Sequence, residues 1–514
     1  MKSRVVIAGA GPTGLLLACE LQRLGAEVLI VDPKSGPTRE SRAMFVHART
    51  LEIYQQLGLG DEAVTRGHPA RGVSVWGPQG RAGGFAWGPV GAGRTPYPFI
   101  LAFEQSANEA LLYDKLRALG GEVLWGWSLE TFEQDAQGVT VSLTGPARGA
   151  REVRALYLCG ADGAHSLVRH SLGTPFEGGN SPRTLFVADV TATGALDSAD
   201  LNVKLSPDSL LLIFPMKGRD NYRLIGMAPG RELETETPTF EAVRPLLRDN
   251  FGLEVSEVRW FSHYRVSHRV ARQFQTGRVF LLGDAAHVHS PVGGQGMNTG
   301  LGDAHNLAWK LAAVLRGDAG AELLASYTLE RRPFAQRLVR TTDSMFSLTS
   351  GKNVIAQLQR RLLPRLLGWV LRGSKVTGAD EARPNPAGKF AFSTLSQIRL
   401  SYPHSPLSGG QAGRVKGGER LPYVPGSGNF AALETAALQL HSYGEASAAV
   451  RAWCDSHGGV ALHVFPYSAA ARTAGLLENA VYLVRPDGYI GLAQAEFDGA
   501  ALTEMLRERW HWRV

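Results

Sequence analysis

A chain of 514 residues is long enough for two or three domains, and 44% hydrophobic with 20% charged residues is ordinary globular composition. Its net charge of +7 is the small difference between 54 basic and 47 acidic residues, with no basic block or tail, so no nucleic-acid partner is expected. Cys19, Cys159 and Cys454 are too scattered for a CxxC or zinc spacing, no uncharged apolar run approaches a membrane span, and residues 1–4 lead straight into the first strand. The expectation is a cytoplasmic protein with no metal and no membrane partner.

The first 32 residues set out a strand, a helix and a second strand. An apolar run over residues 5–8, too short for a helix, meets Gly9, Gly11 and Gly14 in the spacing G-x-G-x-x-G. Residues 15–24 read as helix, and a second apolar strand ends on Asp32. This is the βαβ fingerprint of dinucleotide binding, and each piece has a physical role. Gly9 permits the tight turn, Gly11 lets the backbone approach a pyrophosphate, and Gly14 lets helix and strand pack closely. Pro12 suits a first helical turn because its missing N–H is an orphan there anyway, and Thr13 completes the loop. The helix start offers unpaired N–H groups and partial positive charge to phosphates, while Asp32 can accept hydrogen bonds from a ribose. The competing reading is a glycine-rich strand–helix turn that binds nothing.

Residues 33–43 are rich in turn formers and charge. Arg42 and Arg49 follow closely enough to fold back onto a bound phosphate; the alternative is that both are surface arginines. Strands over 72–76 and 99–103 precede a helix over 105–119, and strands over 123–124, 139–143 and 155–159 return the chain to the nucleotide-binding sheet. The last ends in Gly160-Ala161-Asp162-Gly163. An acid–glycine corner at a strand's carboxyl end is where open α/β sheets place ligand contacts, and it is also a common turn.

From 184 to 268 the texture changes. Residues 185–190, 210–214 and 222–227 read as strands, with one helix over about 240–250: a separate, largely antiparallel sheet inserted into the first domain. An apolar strand over 278–282 then ends on Gly283-Asp284, and a glycine-rich loop feeds a long helix reaching about Leu315. One chain thus holds two anion-receiving helix starts, which suits a large dianionic cofactor with a second electron-rich end.

Three motifs in this order, GAGPTG, CGADGAHSLVR and GDAAHVHSPVGGQGMN, resemble the single-component, group A flavoprotein monooxygenases, which hydroxylate aromatic compounds. The resemblance covers residues 1 to about 345 and runs nearest to the aromatic polyketide hydroxylases and rifampicin monooxygenase, which carry a C-terminal extension. It implies FAD as cofactor and NADPH (or NADH) as reductant. The substrates would be O2 and a small aromatic molecule, hydroxylated through a flavin C4a-hydroperoxide. By this resemblance Gly9, Gly11 and Gly14 cradle the FAD pyrophosphate, Asp32 takes the adenosine ribose, and Arg42 and Gln105 contact FAD. Asp162 is shared between FAD support and nicotinamide-nucleotide use, and Asp284 binds ribityl or ribose hydroxyls. Gly283, Pro291, Gly294 and Gly296 shape the second loop, where the Met297 and Asn298 amides meet the flavin N1–O2 edge. There are three departures: Asp32 stands for the commoner Glu, Ser290 where a Pro-Pro pair is usual, and Asn108 where Thr is usual.

His47 is the candidate acid–base residue, against the alternative of a packed or surface histidine. Phe214 and Pro215 match the lining of the family's substrate cavity. Arg223 faces opposite to Tyr222 and Leu224 on an alternating strand, so it points at substrate or is an exposed sheet arginine. A second GxGxxG unit, paired cysteines and a WxWxIP motif are all absent. That argues against two-dinucleotide reductases, disulfide-type reductases and flavin halogenases respectively. The competing functions are a flavin-loaded protein that sequesters an aromatic ligand and an oxygen-independent FAD dehydrogenase.

In the tail, residues 342–371 read as amphipathic helix and 380–429 as linker and irregular structure. Strands over 438–440 and 481–484, a hairpin over 485–490 and a helix over 499–509 follow. The fold class expected is α/β. Residues 1–175 and 276–375 form a Rossmann-like FAD-binding domain with docking helices, 176–275 an inserted mainly antiparallel sheet substrate domain, and 385–514 a C-terminal thioredoxin-like domain. A monomer or homodimer is expected. Residues 210–215 are almost wholly apolar, and apolar burial is worth about 25 cal/mol per Å2, so the substrate expected is a polycyclic phenol or antibiotic-like aromatic.

Overall fold

The fold is that of a computed structural model, described for residues 4–38, 43–77, 80–205, 210–227, 239–289, 294–350 and 386–513. At its centre lies β1 (Val5–Ala8), every residue of it buried. Parallel to it run β2 (Val28–Asp32), β3 (Val123–Trp125), β4 (Tyr157–Gly160) and β5 (Val279–Leu281), in the order β5-β4-β1-β2-β3, with Gln275–Thr276 antiparallel at the edge. These strands are continuous apolar runs because helices cover the sheet. The covering helices include α1 (Pro12–Arg23), α2 (Gln105–Ala118) and α3 (Gly296–Arg316), with α1 packed against both others. The strand expected at 139–143 lies elsewhere. Val139–Thr144 sits in the middle of a three-stranded antiparallel sheet with Ser128–Gln134 and Ala150–Ala155. Its residues alternate between buried and half-buried, the pattern of a one-sided sheet rather than a parallel core strand.

The middle of the chain forms an eight-stranded sheet built around two 19-residue strands, β6 (Phe176–Gly194) and β7 (Leu253–Ala271). β8 (Leu210–Pro215) and β9 (Asn221–Met227) continue it antiparallel, so β9 lies between β6 and β8. Gly72–Gly77 and Gly80–Ala86 also join, through a parallel pairing with Leu201–Leu205 that no local pattern announces. Strand alternation divides the faces. Leu211, Ile213, Tyr222 and Leu224 pack with Phe186 and Ala188 under the helix Arg244–Phe251. Val187, Phe214 and Ile225 join the core of the first domain instead.

Arg223 lies on that second face and is fully buried, which overturns the reading of an exposed sheet arginine. Its Nε and Nη2 donate to Asp189 Oδ1 and Oδ2, each at 2.6 Å, across the β6–β9 pairing, and its guanidinium stands 5.6 Å from the Trp260 ring.

A long helix, Ala325–Ser350, carries the chain onward; the remainder of the helix expected to 371 lies outside the described residues. The stretch read as irregular linker supplies a helix, Pro386–Leu395, and two strands, Gly409–Ala412 and Val415–Lys416. Gly-Gly-Gln-Ala has no strand propensity, and it becomes a strand by pairing with the strand Ile490–Gln494. The C-terminal sheet is mixed and six-stranded, with β10 (Leu438–Tyr443), β11 (Val481–Val484) and β12 (Ile490–Gln494) at its heart. β11 and β12 form the expected hairpin. Pro486 and Asp487 occupy its turn, and Gly488 takes the left-handed conformation (φ +73°) that closes it. Among the described residues no helix is long and apolar enough to cross a membrane, and no His/Cys/Asp/Glu group could hold a metal ion.

Truncating one partner of a buried ion pair leaves the other charge desolvated and costs about 3–5 kcal/mol. Asp189→Ala should therefore destabilise the protein by roughly 3 kcal/mol, with Asp189→Asn intermediate, as measured by urea unfolding.

Candidate active site

Two helix starts meet at the carboxyl edge of the parallel sheet. The first follows β1. Gly9 adopts φ +103°, and a Cβ there would stand 2.3 Å from the Ala161 carbonyl oxygen, so only glycine fits between the two strand ends. A Cβ on Gly14 would lie 1.9 Å from the Gly9 oxygen, which is how α1 comes to rest on its own turn. Gly11 differs, because a Cβ there would meet nothing within 4 Å. It is the N-cap residue of α1, has no side-chain cap, and borders a cavity of about 520 Å3. Asp32, Gln105 and Asp162 line the same cavity, so the structure brings these sequence-predicted residues together.

Asp32 is already engaged at its inner edge, accepting the Ala10 N–H at 2.7 Å and the Lys34 N–H at 2.9 Å. Asp162 Oδ2 accepts the Val168 N–H at 3.1 Å, while Oδ1 is buried with no hydrogen-bond partner. Burial pushes the Asp162 carboxyl above its ordinary pKa. Gln105 stitches the wall: its Oε1 accepts the Ala43 N–H and its Nε2 donates to Glu109. Arg42 lies outside the described residues.

Sequence reasoning passed over Glu109, one helical turn beyond Gln105. It is buried, and it accepts from Lys34 Nζ (3.2 Å), the Thr38 N–H (2.8 Å) and Gln105 Nε2 (2.9 Å). This one carboxylate ties residues 34–38 to α2 along the cavity wall. The i, i+4 spacing was the available signal.

The second helix start is α3. Thr13 joins the two halves: a Cβ on Gly283 or Gly300 would come within 2.8 or 2.4 Å of its Oγ1. Gly283 leads a short 3-10 turn that leaves Asp284 exposed. Gly294, at φ +60°, leaves room for the Phe45 ring, which lies 4.2 Å from the Phe214 ring centroid. Phe214 therefore lies against Phe45, which Gly294 in turn accommodates; Pro215, the next residue of β8, is also buried, and Pro291 lies outside the described residues. Gly296, Met297 and Asn298 form the first turn of α3, and no side chain caps it. Asn298 spends its side chain elsewhere. Its Oδ1 accepts the His47 N–H (2.9 Å) and the Thr50 hydroxyl (2.7 Å), and its Nδ2 donates to the Phe45 and Gly294 carbonyls. His47 is thus a buried residue beside the start of α3. Met297 Sδ receives Asn108 Nδ2 at 3.3 Å, and Tyr54 donates to Asn108 in turn. Below this turn, Asp303 accepts from Arg331 Nε (2.6 Å) and the Gly283 N–H, and lies 2.7 Å from His287 Nε2. Burial pushes the Asp303 carboxyl up, but Arg331 and His287 outweigh it and hold the pKa below the ordinary value.

These residues fit FAD. An open cradle at Gly11 suits a pyrophosphate, the unpartnered Asp162 Oδ1 suits a hydroxyl donor, and two uncapped helix starts offer N–H groups to phosphate and to an electron-rich ring edge. Gly11→Val should abolish FAD binding while changing apo-protein stability by about 1 kcal/mol or less. Gly14→Ala, which drives a Cβ into backbone, should destabilise the apo-protein by roughly 1–3 kcal/mol. FAD titration by flavin fluorescence and urea unfolding of the two apo-proteins check the contrast.

The family described as FAD binding domain matches residues 2–342. The 6-methylpretetramide 4-monooxygenase of Streptomyces rimosus is 40% identical over 412 residues, 79% of this chain and 71% of that protein. Rifampicin monooxygenase of Streptomyces venezuelae is 36% identical over 373 residues, 71% and 75% of the two chains. Among solved structures, the OxyS anhydrotetracycline hydroxylase from Streptomyces rimosus is similar with a TM-score of 0.78 at 30% identity, covering 100% of both chains. The likeness to OxyS spans the whole of both chains, and the chain belongs to the FAD-binding-domain family of flavoprotein monooxygenases, with FAD as its cofactor.

Proposed function

We propose that this enzyme uses NAD(P)H and O2 to hydroxylate a polycyclic, antibiotic-like aromatic compound. One observation carries the substrate class. The face of the middle sheet that backs onto the flavin loop is apolar at Leu212, Phe214 and Ile225, and its arginine, Arg223, is already neutralised by Asp189. A single-ring acid needs a cation to hold its carboxylate, whereas a multi-ring substrate binds through buried apolar area. The named substrates of the tetracycline-pathway relatives point the same way.

Bound FAD supplies the ring that accepts hydride and activates oxygen. The chain's own residues bind, orient and exclude water. The N–H groups of Gly11, Thr13 and Gly14 and the Asp32 carboxylate hold the ADP end, and Gln105 and Asp162 line it. Asp284 takes ribityl or ribose hydroxyls, and the Met297 and Asn298 amides stabilise negative charge at the N1–O2 edge. By the family resemblance Arg42 contacts FAD and Pro291 belongs to the second glycine-rich segment. Phe214 and Pro215 line the substrate side, with His47 as the acid–base candidate. Arg223 acts there through its ion pair with Asp189. NADPH is favoured over NADH as reductant.

The architecture inferred is a Rossmann-like FAD-binding domain at 1–175 and 276–375, an inserted sheet domain at 176–275 and a thioredoxin-like unit at 385–514. The parallel order around β1 and the mixed C-terminal sheet support it. With three free buried cysteines and no pair among them, the C-terminal unit has no dithiol chemistry. A cytoplasmic monomer or homodimer is consistent with these features.

The test is NAD(P)H oxidation under labelled O2 with 4-hydroxybenzoate, simple phenols, tetracyclic polyketides and rifamycins. We expect product that gains one labelled oxygen atom, with the most product per NAD(P)H for multi-ring compounds. Tightest coupling with 4-hydroxybenzoate overturns the size argument. Turnover under argon with an artificial acceptor, or ligand-induced spectral shifts without turnover, overturns the hydroxylase reading itself.

A further inference from the structure

The turn between β11 and β12 is buried inside the flavin domain, and the proposed oxidation assigns it no role. Arg485, Asp487, Glu330, Lys310 and Asn306 are each at most 2% exposed. Arg485 donates to both Glu330 oxygens (2.6 and 2.9 Å) and to both Asp487 oxygens (2.9 and 2.5 Å), so one guanidinium lies between carboxylates of the two units. Glu330 Oε2 also accepts Lys310 Nζ (2.8 Å) and Asn306 Nδ2 (2.7 Å), and Asn306 reaches Asp487 Oδ2 at 3.3 Å. Asn306 and Lys310 belong to α3, whose first turn is the flavin seat.

A second arm leaves the same turn. The Asp487 carbonyl accepts Arg49 Nη2 at 2.6 Å, and the Arg49 guanidinium lies 5.2 Å from the Tyr489 ring centroid. Arg49 and Thr50 open the helix Ala48–Gln56, whose N-cap residue is His47. His47 and Thr50 both donate to Asn298 Oδ1 in the flavin seat. Asp487 thus touches both paths to Asn298, one through α3 and one through the start of Ala48–Gln56.

Burying so many charges is a poor route to stability, since well-packed apolar residues of similar volume often do as well. What such a network supplies is direction, because every hydrogen bond fixes an angle as well as a distance. We propose that Arg485 and Asp487 are positioning residues, through which the C-terminal unit sets the geometry of the Gly296–Asn298 flavin seat. This rests on the assignment of that turn as the seat of the flavin ring.

The holoenzyme variants Asp487→Asn and Arg485→Lys test it against Trp510→Phe. Trp510 belongs to the same interface through its contact with Trp309, whose ring also lies 5.3 Å from the Arg485 guanidinium, and is outside the hydrogen bonds of both arms. FAD dissociation constant, flavin absorption spectrum and product formed per NAD(P)H are the readouts. We expect Asp487→Asn and Arg485→Lys to weaken FAD binding about tenfold, a change of about 1.4 kcal/mol. Both should alter the bound-flavin spectrum and divert NAD(P)H to hydrogen peroxide, while Trp510→Phe does none of these. If Asp487→Asn fails to fold, Arg485→Lys, which keeps the charge, decides alone. Wild-type FAD affinity, spectrum and coupling in these variants overturn the proposal, as does an equal loss in Trp510→Phe, which would reduce the turn to general docking. Failure of the wild-type protein to bind FAD overturns instead the seat on which the proposal rests.

Discussion

The first N–H groups of a helix have no partner within the helix, and this chain sets two such groups of amides at the sheet's carboxyl edge. Neither α1 nor α3 is capped by a side chain at its start. The rest of the first domain follows from keeping those groups open. Gly11 leaves space where any larger residue would fill it. Asn298, a good capping residue by type, instead turns its amide to the loop and helix beside it. Asp303 and Arg331 hold the underside of the same helix, Arg331 donating to the Thr299 carbonyl at 3.0 Å. The protein invests its side chains in holding these amides still and leaves a ligand to satisfy them.

That logic is local, and so it was legible. A turn that needs Gly9, a close contact that needs Gly14 and an acid at the end of the second strand fall within 24 residues, and their spacing follows from helix and strand geometry. The second helix start announced itself by the same chemistry. The hairpin at Arg485-Pro486-Asp487-Gly488 could be read too, because proline and glycine dictate turn conformation directly.

What stayed hidden depends on partners distant in sequence. Arg49, Arg223, Arg331 and Arg485 are all buried, although arginine in isolation reads as surface. Arg223 finds its carboxylate 34 residues away and Arg485 finds Glu330 155 residues away. Composition and periodicity carry no trace of such pairings. Likewise Gly72–Gly77 reads as a strand, but its neighbour in the sheet is Leu201–Leu205. Gly409–Ala412 does not read as a strand at all and becomes one by tertiary pairing. Local chemistry therefore marks the two uncapped helix starts, and only the assembled fold shows which side chains brace them.

The two-faced middle sheet has an evolutionary consequence. Leu211, Ile213, Tyr222 and Leu224 anchor it to its covering helix, while Leu212, Phe214, Arg223 and Ile225 alternate with them toward the flavin domain. Because the period of a strand is two, each set can change without re-aiming the other. A lineage can rewrite the positions of β8 and β9 that face the first domain while the helix-facing half preserves register and stability. Change on such a scaffold can proceed by point substitutions at every second residue, with the parent fold kept along the way.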